Sequence, residues 1–193
     1  GMRFVVRIFS DDLNMVNEVV GRDSYGIAQM QLPDTPHIVD IGANIGTFSA
    51  WIKKLYPQAE LIAYEPHPDN VMLLRRNAPF AAIHPEAVAG AEGEVNIEPT
   101  GHSSALKLAQ TGIAVRAVTL KQALEPFAVV DLLKVDIEGS EHEVFSSATL
   151  DTMQKVRQAI IEVHKDEERE WFEQFFGQCG FSYHWDKDLL IAK

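Results

Sequence analysis

VDIGANIGTFS, residues 39–49, is the stretch whose reading decides the fold. It starts as a short apolar strand, turns on Gly42 and Gly46, and opens into a helix. The apolar stripe of that helix, Phe48, Trp51, Ile52 and Leu55, falls at i, i+3, i+4 and i+7. The two glycines let the backbone turn tightly and approach a ligand, and the free N–H groups of the new helix point at it. A dinucleotide fingerprint would read G-x-G-x-x-G here. This chain instead has Asp40 at the strand end and Asn44 where a middle glycine would stand. An acid ahead of the loop repels a pyrophosphate and attracts a cation, such as the ammonium of an amino-acid-like cofactor.

Outward from this loop, strand and helix signals alternate. HIVDIG (37–42), ELIAYEP (60–66) and AAIHPEAVAG (81–90) read as strands, separated by the helices TFSAWIKKLYP and DNVMLLRRNA, the second with Asp69 as its predicted N-cap. GEVNIEP and GIAVRAVTL alternate apolar and polar residues, as antiparallel extension strands do, around a loop, PTGHSSALK (99–107), with little pattern. VVDLLKVDIEG (129–139) reads as a long buried strand. SEHEVFSSATLDTMQKV reads as a helix opened by a Ser140–Glu143 capping box. QAIIEVH (158–164) is a strand, DEEREWFEQFFGQCG a helix with Trp171, Phe172, Phe175 and Phe176 inward, and FSYHW with DLLIAK a hairpin around Asp186-Lys187. MRFVVRIF is strand-like and DDLNMVNEVV helical. Residues 1–36 are therefore predicted to form an N-terminal cap on the sheet edge, and 37–193 the Rossmann-like core of a single domain. The order implies an α/β fold: a doubly wound, mostly parallel sheet with an antiparallel end and an antiparallel β insertion.

Four groups of residues carry chemistry. Asp40, Gly42, Asn44 and Gly46 belong with Glu65, which falls at the tip of the next strand, where an acid can accept hydrogen bonds from both ribose hydroxyls. Glu86 ends the third strand, and the Glu86-Ala87 backbone is placed to border an adenine ring. In DLLKVDIEGSEHEVF (131–145), Asp136 and Glu138 share one strand face if the strand runs that far. Charges at the mouth of an apolar strand are expensive unless something binds there. Asp136 is thus expected at the cofactor–substrate junction, with Glu138, Glu141 and His142 along the approach; Glu143 is explained by the helix dipole alone. The histidines that draw attention are His102, His142 and His164, of the seven in the chain. A metal held by Asp136, Glu138, His142 and His164 is conceivable in ligand type, but no spacing fixes its geometry, so no metal is expected.

Composition sets the bounds. The chain has 193 residues, 46% of them hydrophobic, enough for a real core. One cysteine, Cys179, excludes a disulfide framework or a thiolate metal cluster and fits a cytoplasmic protein. No apolar run approaches the ~20 residues that span a bilayer, and GMRFVVRIFSDD lacks the apolar core and cleavage site of a signal peptide. Gly1 ahead of Met2 has the look of a cloning remnant. The net charge of −11 is concentrated late: Glu138 to Asp188 holds twelve acids against five bases. With no basic footprint, a DNA or RNA substrate is not expected.

VDIGANIGTFS, YEPHPDN, DLLKVDIEGSEHEVF and IIEVH together resemble the FkbM family of S-adenosylmethionine-dependent methyltransferases, over about residues 20 to 175. The resemblance implies a seven-stranded sheet with a reversed last strand. It implies that Asp40 and the glycine loop hold the methionine moiety, that Glu65, next to Pro66, binds ribose, and that the Glu86–Ala87 region borders adenine. Ser103-Ser104 and Asp23-Ser24-Tyr25 match family positions more weakly, and His142 stands where many members carry an apolar residue. The implied reaction is O-methylation of a hydroxyl on a small molecule or sugar. A hydroxyl nucleophile gains from a general base, for which His142, His164 and Glu138 are candidates, with Asp136 as an alternative. The rival readings are an NAD-dependent oxidoreductase of similar fold, disfavoured by Asp40, and a non-catalytic S-adenosylmethionine-binding module. A module would have side chains filling the space between the strand ends at 39–42 and 131–138.

Overall fold

A computed structural model describes residues 1–99, 106–109 and 111–193; His102 and the Ser103-Ser104 pair lie outside them. The chain enters through α1 (Asp12–Val16), which continues as a π-helical turn over Asn17–Gly21. The first half of the sheet follows: β1 (His37–Ile41), α2 (Thr47–Leu55), β2 (Glu60–Tyr64), α3 (Pro68–Asn77) and β3 (Ala82–His84). Then come the short strand β4 (Ala87–Val88) and the strands β5 (Gly93–Pro99), β6 (Leu106–Ala109) and β7 (Ile113–Val118). The second half is α4 (Leu120–Leu124), β8 (Leu132–Val135), α5 (Glu141–Ser146), α6 (Leu150–Met153), β9 (Ala159–Glu162), α7 (Arg169–Gln178), β10 (Tyr183–Asp186) and β11 (Leu189–Ala192).

The main sheet has seven strands in the order β10-β11-β9-β8-β1-β2-β3. The five strands from β9 to β3 are parallel, and β11, the last in the chain, pairs antiparallel with β9. This is the predicted reversed last strand. The chain leaves β1 toward β2 on one side and later returns as β8 on the other, so the crevice between β1 and β8 is a topological switch point, where open α/β sheets bind ligands. The β insertion forms its own four-stranded sheet, order β4-β7-β5-β6.

Side-chain alternation splits the core in two. Val39, Ile41, Leu133, Val135 and Ile161 face one side, under α4 to α7, where Phe145, Phe172 and Phe176 are fully buried. Ile38, Leu61, Leu132 and Ile160 face the other, under α2 and the N-terminal segment through Val19, Tyr25, Ile27 and Met30. The N-terminal segment therefore covers a sheet face beside α2, not the sheet edge as predicted.

Other expectations are corrected locally. Residues 2–7 form no strand; Val5 is tied instead to the Asn77 side chain, by bonds of 2.7 and 3.0 Å. AAIHPEAVAG is two strands in two sheets, since Pro85 has no N–H to continue the ladder. The N-cap of α3 is His67, whose ring accepts from the Asp69 N–H, with Pro68 at the first helical position. The long helix over 140–156 is broken into α5 and α6, and Ser140 makes no side-chain cap. The capping box belongs to α4 instead, between Thr119 and Gln122.

Candidate active site

The strand β1 ends in a loop with three left-handed residues, Gly42 (φ 74°), Asn44 (φ 50°) and Gly46 (φ 88°). Asparagine is among the few L-residues that tolerate this region, which is why it can replace a glycine here. The space a Cβ on Gly42 would occupy is already filled: it would lie 1.8 Å from the carbonyl oxygen of Asp136. Gly42 thus lets the loop close onto the end of β8.

Beneath the loop, Asp40 is fully buried and does not line the cleft. Its register partner across the β1–β8 ladder is Lys134. The ammonium lies 3.4 Å from the Asp40 carboxylate, 2.7 Å from the Gly42 carbonyl oxygen and 3.5 Å from Asp136. Ser49 donates to the other Asp40 oxygen at 2.6 Å. The cation that Asp40 was expected to draw from a cofactor is therefore the chain's own. Burial alone would push the Lys134 ammonium down, but the charges of Asp40 and Asp136 outweigh it and hold it up. Lys134 was missed in the sequence, although a lysine in an otherwise apolar strand demands a buried partner.

Glu65 follows the last residue of β2 and lines the cleft, 2% exposed. Its carboxylate accepts from the Asn44 N–H at 2.8 Å and the His67 N–H at 2.9 Å, so it locks the glycine loop to the second strand. Burial raises it to about 7, against the pull of those donors. Pro66, Glu86 and Ala87 continue this wall. Glu86 is held by Arg116 at 3.0 Å and by His84 at 3.7 Å, and His84 in turn stacks on Tyr64.

The opposite wall starts where β8 stops, at Val135, earlier than predicted. Glu138 adopts φ 57°, so no strand carries Asp136 and Glu138 on one face. A histidine brings them together instead. His164 Nε2 lies 3.8 Å from Asp136 and 3.3 Å from Glu138, while Nδ1 lies 2.9 Å from Glu141. Burial alone would lower His164, but the Glu141 hydrogen bond and the charges of Glu141, Asp136 and Glu138 carry it to about 9. At neutral pH it is a cation and not a free base. His142 does not reach this group; it packs edge-on against Trp171, 4.4 Å between centroids. Two residues were missed: Glu162 at the end of β9, and Tyr25, whose hydroxyl lies 3.0 Å from Asp136 and 3.3 Å from Glu162. Burial and the charge of Asp136 raise Glu162 to about 7. Tyr25 is positioned through Asp23, which accepts from the Trp51 indole at 2.7 Å.

Between these walls lies a cleft of about 740 Å³. Its size suits a nucleoside-sized ligand with a small second substrate. The space between the strand ends is open and not filled by side chains, and the acceptor-only carboxylate of Glu65 suits a ribose diol. Among the described residues no helix is long and apolar enough to cross a membrane.

Comparisons with known proteins agree. The family described as Methyltransferase FkbM domain matches residues 40–183. Methyltransferase sdnD of Sordaria araneosa is 48% identical over 60 residues, 31% of this chain and 22% of that protein, so the chain spans under a quarter of this relative. Among solved structures, DesVI of Streptomyces venezuelae superposes with a TM-score of 0.55 at 10% identity, over 94% of this chain and 95% of that one. Aeropyrum pernix fibrillarin, solved with natively bound S-adenosyl-L-methionine, gives 0.51 at 10% identity over 88% and 73%. At such identities the likeness speaks for the fold alone. The match over residues 40–183 identifies the chain as a member of the FkbM methyltransferase family.

Proposed function

We propose that the chain methylates a hydroxyl oxygen of a small-molecule acceptor, with the cofactor against the Glu65 wall and the acceptor against the Asp136–Glu162 wall. The cofactor supplies an electrophilic methyl group on a sulfonium. On its side, the Gly42–Gly46 loop offers backbone, Glu65 accepts the ribose hydroxyls, and Pro66, Glu86 and Ala87 border the adenine. Asp40 acts from below, by holding Lys134 and through it the loop carbonyls. Asp136, which lines the cleft, stands at the junction of the two substrates.

The observation that carries the oxygen reading is the pair of carboxylates, Asp136 and Glu162, on either side of the Tyr25 hydroxyl. A neutral hydroxyl must lose its proton as its lone pair takes the methyl, and a cleft-lining carboxylate is the group to receive it. Glu162 is the better placed, because Asp136 also faces Lys134 and His164. Most of the remaining rate comes from positioning. A net charge of −11 and an acid-rich wall favour a small molecule over a nucleic acid.

S-adenosylhomocysteine should raise the melting temperature and NADH should not. Incubation with S-adenosylmethionine and a panel of hydroxylated small molecules should then give a methyl ether by mass spectrometry. A methyl group found on nitrogen or carbon would overturn the oxygen assignment.

The Glu65 assignment makes a pH prediction. The ionised carboxylate is the form that accepts two hydroxyl donors. With Glu65 at about 7 in the free protein, S-adenosylhomocysteine affinity should fall as the pH drops below 7, by up to about tenfold per unit. Calorimetry at several pH values checks this, and Glu65→Gln should flatten the profile and weaken binding by about tenfold or more. In the ligand-free protein the sign is opposite. The protonated form favours folding at low pH, and that contribution is lost as the pH rises through about 7.

A further inference from the structure

We propose that Asp136, Glu138 and His164 form a divalent-cation site on the wall of the cleft, suited to Mn²⁺ or Mg²⁺, with Glu141 fixing the imidazole from behind. One carboxylate oxygen from each acid and a ring nitrogen of His164 lie within 4.8 Å of one another. Ligand atoms in adjacent positions around one octahedral ion stand about 3 Å apart. The separations from His164 Nε2, 3.3 Å to Glu138 and 3.8 Å to Asp136, need only sub-ångström adjustment to reach that spacing.

The tautomer is set for ligation. Glu141 is fully buried, and its Oε1 accepts the Ile137 N–H at 3.2 Å, the Gly139 N–H at 3.1 Å and His164 Nδ1 at 2.9 Å. Glu141 Oε1 accepts from Nδ1 as it does from the two backbone N–H groups, so it is the Nε2 proton, on the side of Asp136 and Glu138, that a metal ion would displace. This is the carboxylate–histidine–metal arrangement in which an outer carboxylate orients the ligand and raises its basicity.

A second observation, on Glu141 itself, favours a cation here. The other oxygen of Glu141, Oε2, is buried with no hydrogen-bond partner among the described residues. Lys134 is already committed to Asp40 and the Gly42 carbonyl. Asp40, Asp136, Glu138, Glu141 and Glu162 thus share two cations, Lys134 and His164. A partly buried excess of negative charge is costly, and a divalent ion exchanging for the Nε2 proton lessens it by one unit.

Two carboxylates and one imidazole, with Cys179 far along the chain on the C-terminal end of α7, make a hard-to-borderline donor set. Asp136 and Glu138 line the cleft whereas His164 does not, so the open coordination positions face the substrate space. An acceptor hydroxyl bound there would be acidified by the ion. That consequence rests on the oxygen-methylation reading; the binding of the ion does not.

The test uses the whole chain, stripped with EDTA and titrated with Mn²⁺ alone, with free Mn²⁺ read by electron paramagnetic resonance. One Mn²⁺ should bind per chain and be displaced by Mg²⁺. Glu138→Ala and His164→Ala should each weaken binding at least tenfold. Glu141→Gln, which removes no ligand, should weaken it about 10- to 100-fold. Asp188→Asn, on the cleft rim, should leave it unchanged. Glu138 is half-buried and makes no contact with Glu141, so Glu138→Ala decides the matter if His164→Ala fails to fold. No saturable binding at millimolar Mn²⁺, or binding that Glu138→Ala leaves intact, would mean that the acids are neutralised by the histidinium only and would overturn the site.

Discussion

Replacing Lys134 with methionine should destabilise the protein by about 3–5 kcal/mol, the usual result of removing one partner of a buried ion pair. Lys134 is 2% exposed and Asp40 is fully buried, so no water can take over the charge. The loss reaches further than one pair, because the ammonium also binds the carbonyl oxygens of Gly42 at 2.7 Å and Ile41 at 3.4 Å. For a chain of this length, that corresponds to a drop of about 10 °C or more in melting temperature. Urea denaturation measures the change directly. The double variant Asp40→Asn, Lys134→Met should recover a large part of it, since what harms the single variant is the orphaned carboxylate and not the lost attraction. A single variant as stable as the wild type would remove Lys134 from the account of the loop.

Gly42→Ala should abolish cofactor binding and weaken the fold by several kcal/mol. Two penalties act together: φ is 74°, and the new methyl would meet the Asp136 carbonyl at 1.8 Å. Backbone cannot swing aside as a side chain can, so the loop or the end of β8 must move, and Glu65, Asn44 and Asp136 move with it. Gly46→Ala is the informative control. Gly46 has a similar φ of 88°, but its Cβ would meet the Leu74 side-chain tip at 2.7 Å, which can rotate. It should lose only about 1–2 kcal/mol and keep measurable S-adenosylhomocysteine affinity. Calorimetry on both variants separates close approach from backbone conformation. Equal losses would mean that the left-handed turn alone accounts for both glycines.

The legible parts of this molecule are those written locally. The strand–loop–helix of residues 37–55 and the acid at the tip of the next strand follow from hydrophobic period and glycine placement, and the sheet order follows from their repetition. What was not legible depends on register between distant segments. Nothing near Asp40 says that Lys134 is its partner across the ladder. Glu162 was passed over for His164 two positions later, although its parity with Ile160 puts it on the α2 side of the sheet. The capping pattern at Ser140–Glu143 was formally correct, but Glu141 already takes the Gly139 and Ile137 N–H groups, and Ser140 is left uncapped. His142 had the right chemistry on the wrong side of α5, turned into the aromatic layer of α7.

Tyr25 reaches the reaction side of the cleft from the segment that precedes the sheet, and Asp11, Asn14, Glu18 and Arg22 from the same segment line the cleft with it. The family match begins only at residue 40. On the proposed assignment, the methyl-donor half of the site lies within the matched residues, while part of the opposite wall lies in the N-terminal stretch ahead of them. Exchanging the first 36 residues between relatives would then retarget the enzyme while leaving its methyl donor alone, a modularity that the sheet by itself does not possess.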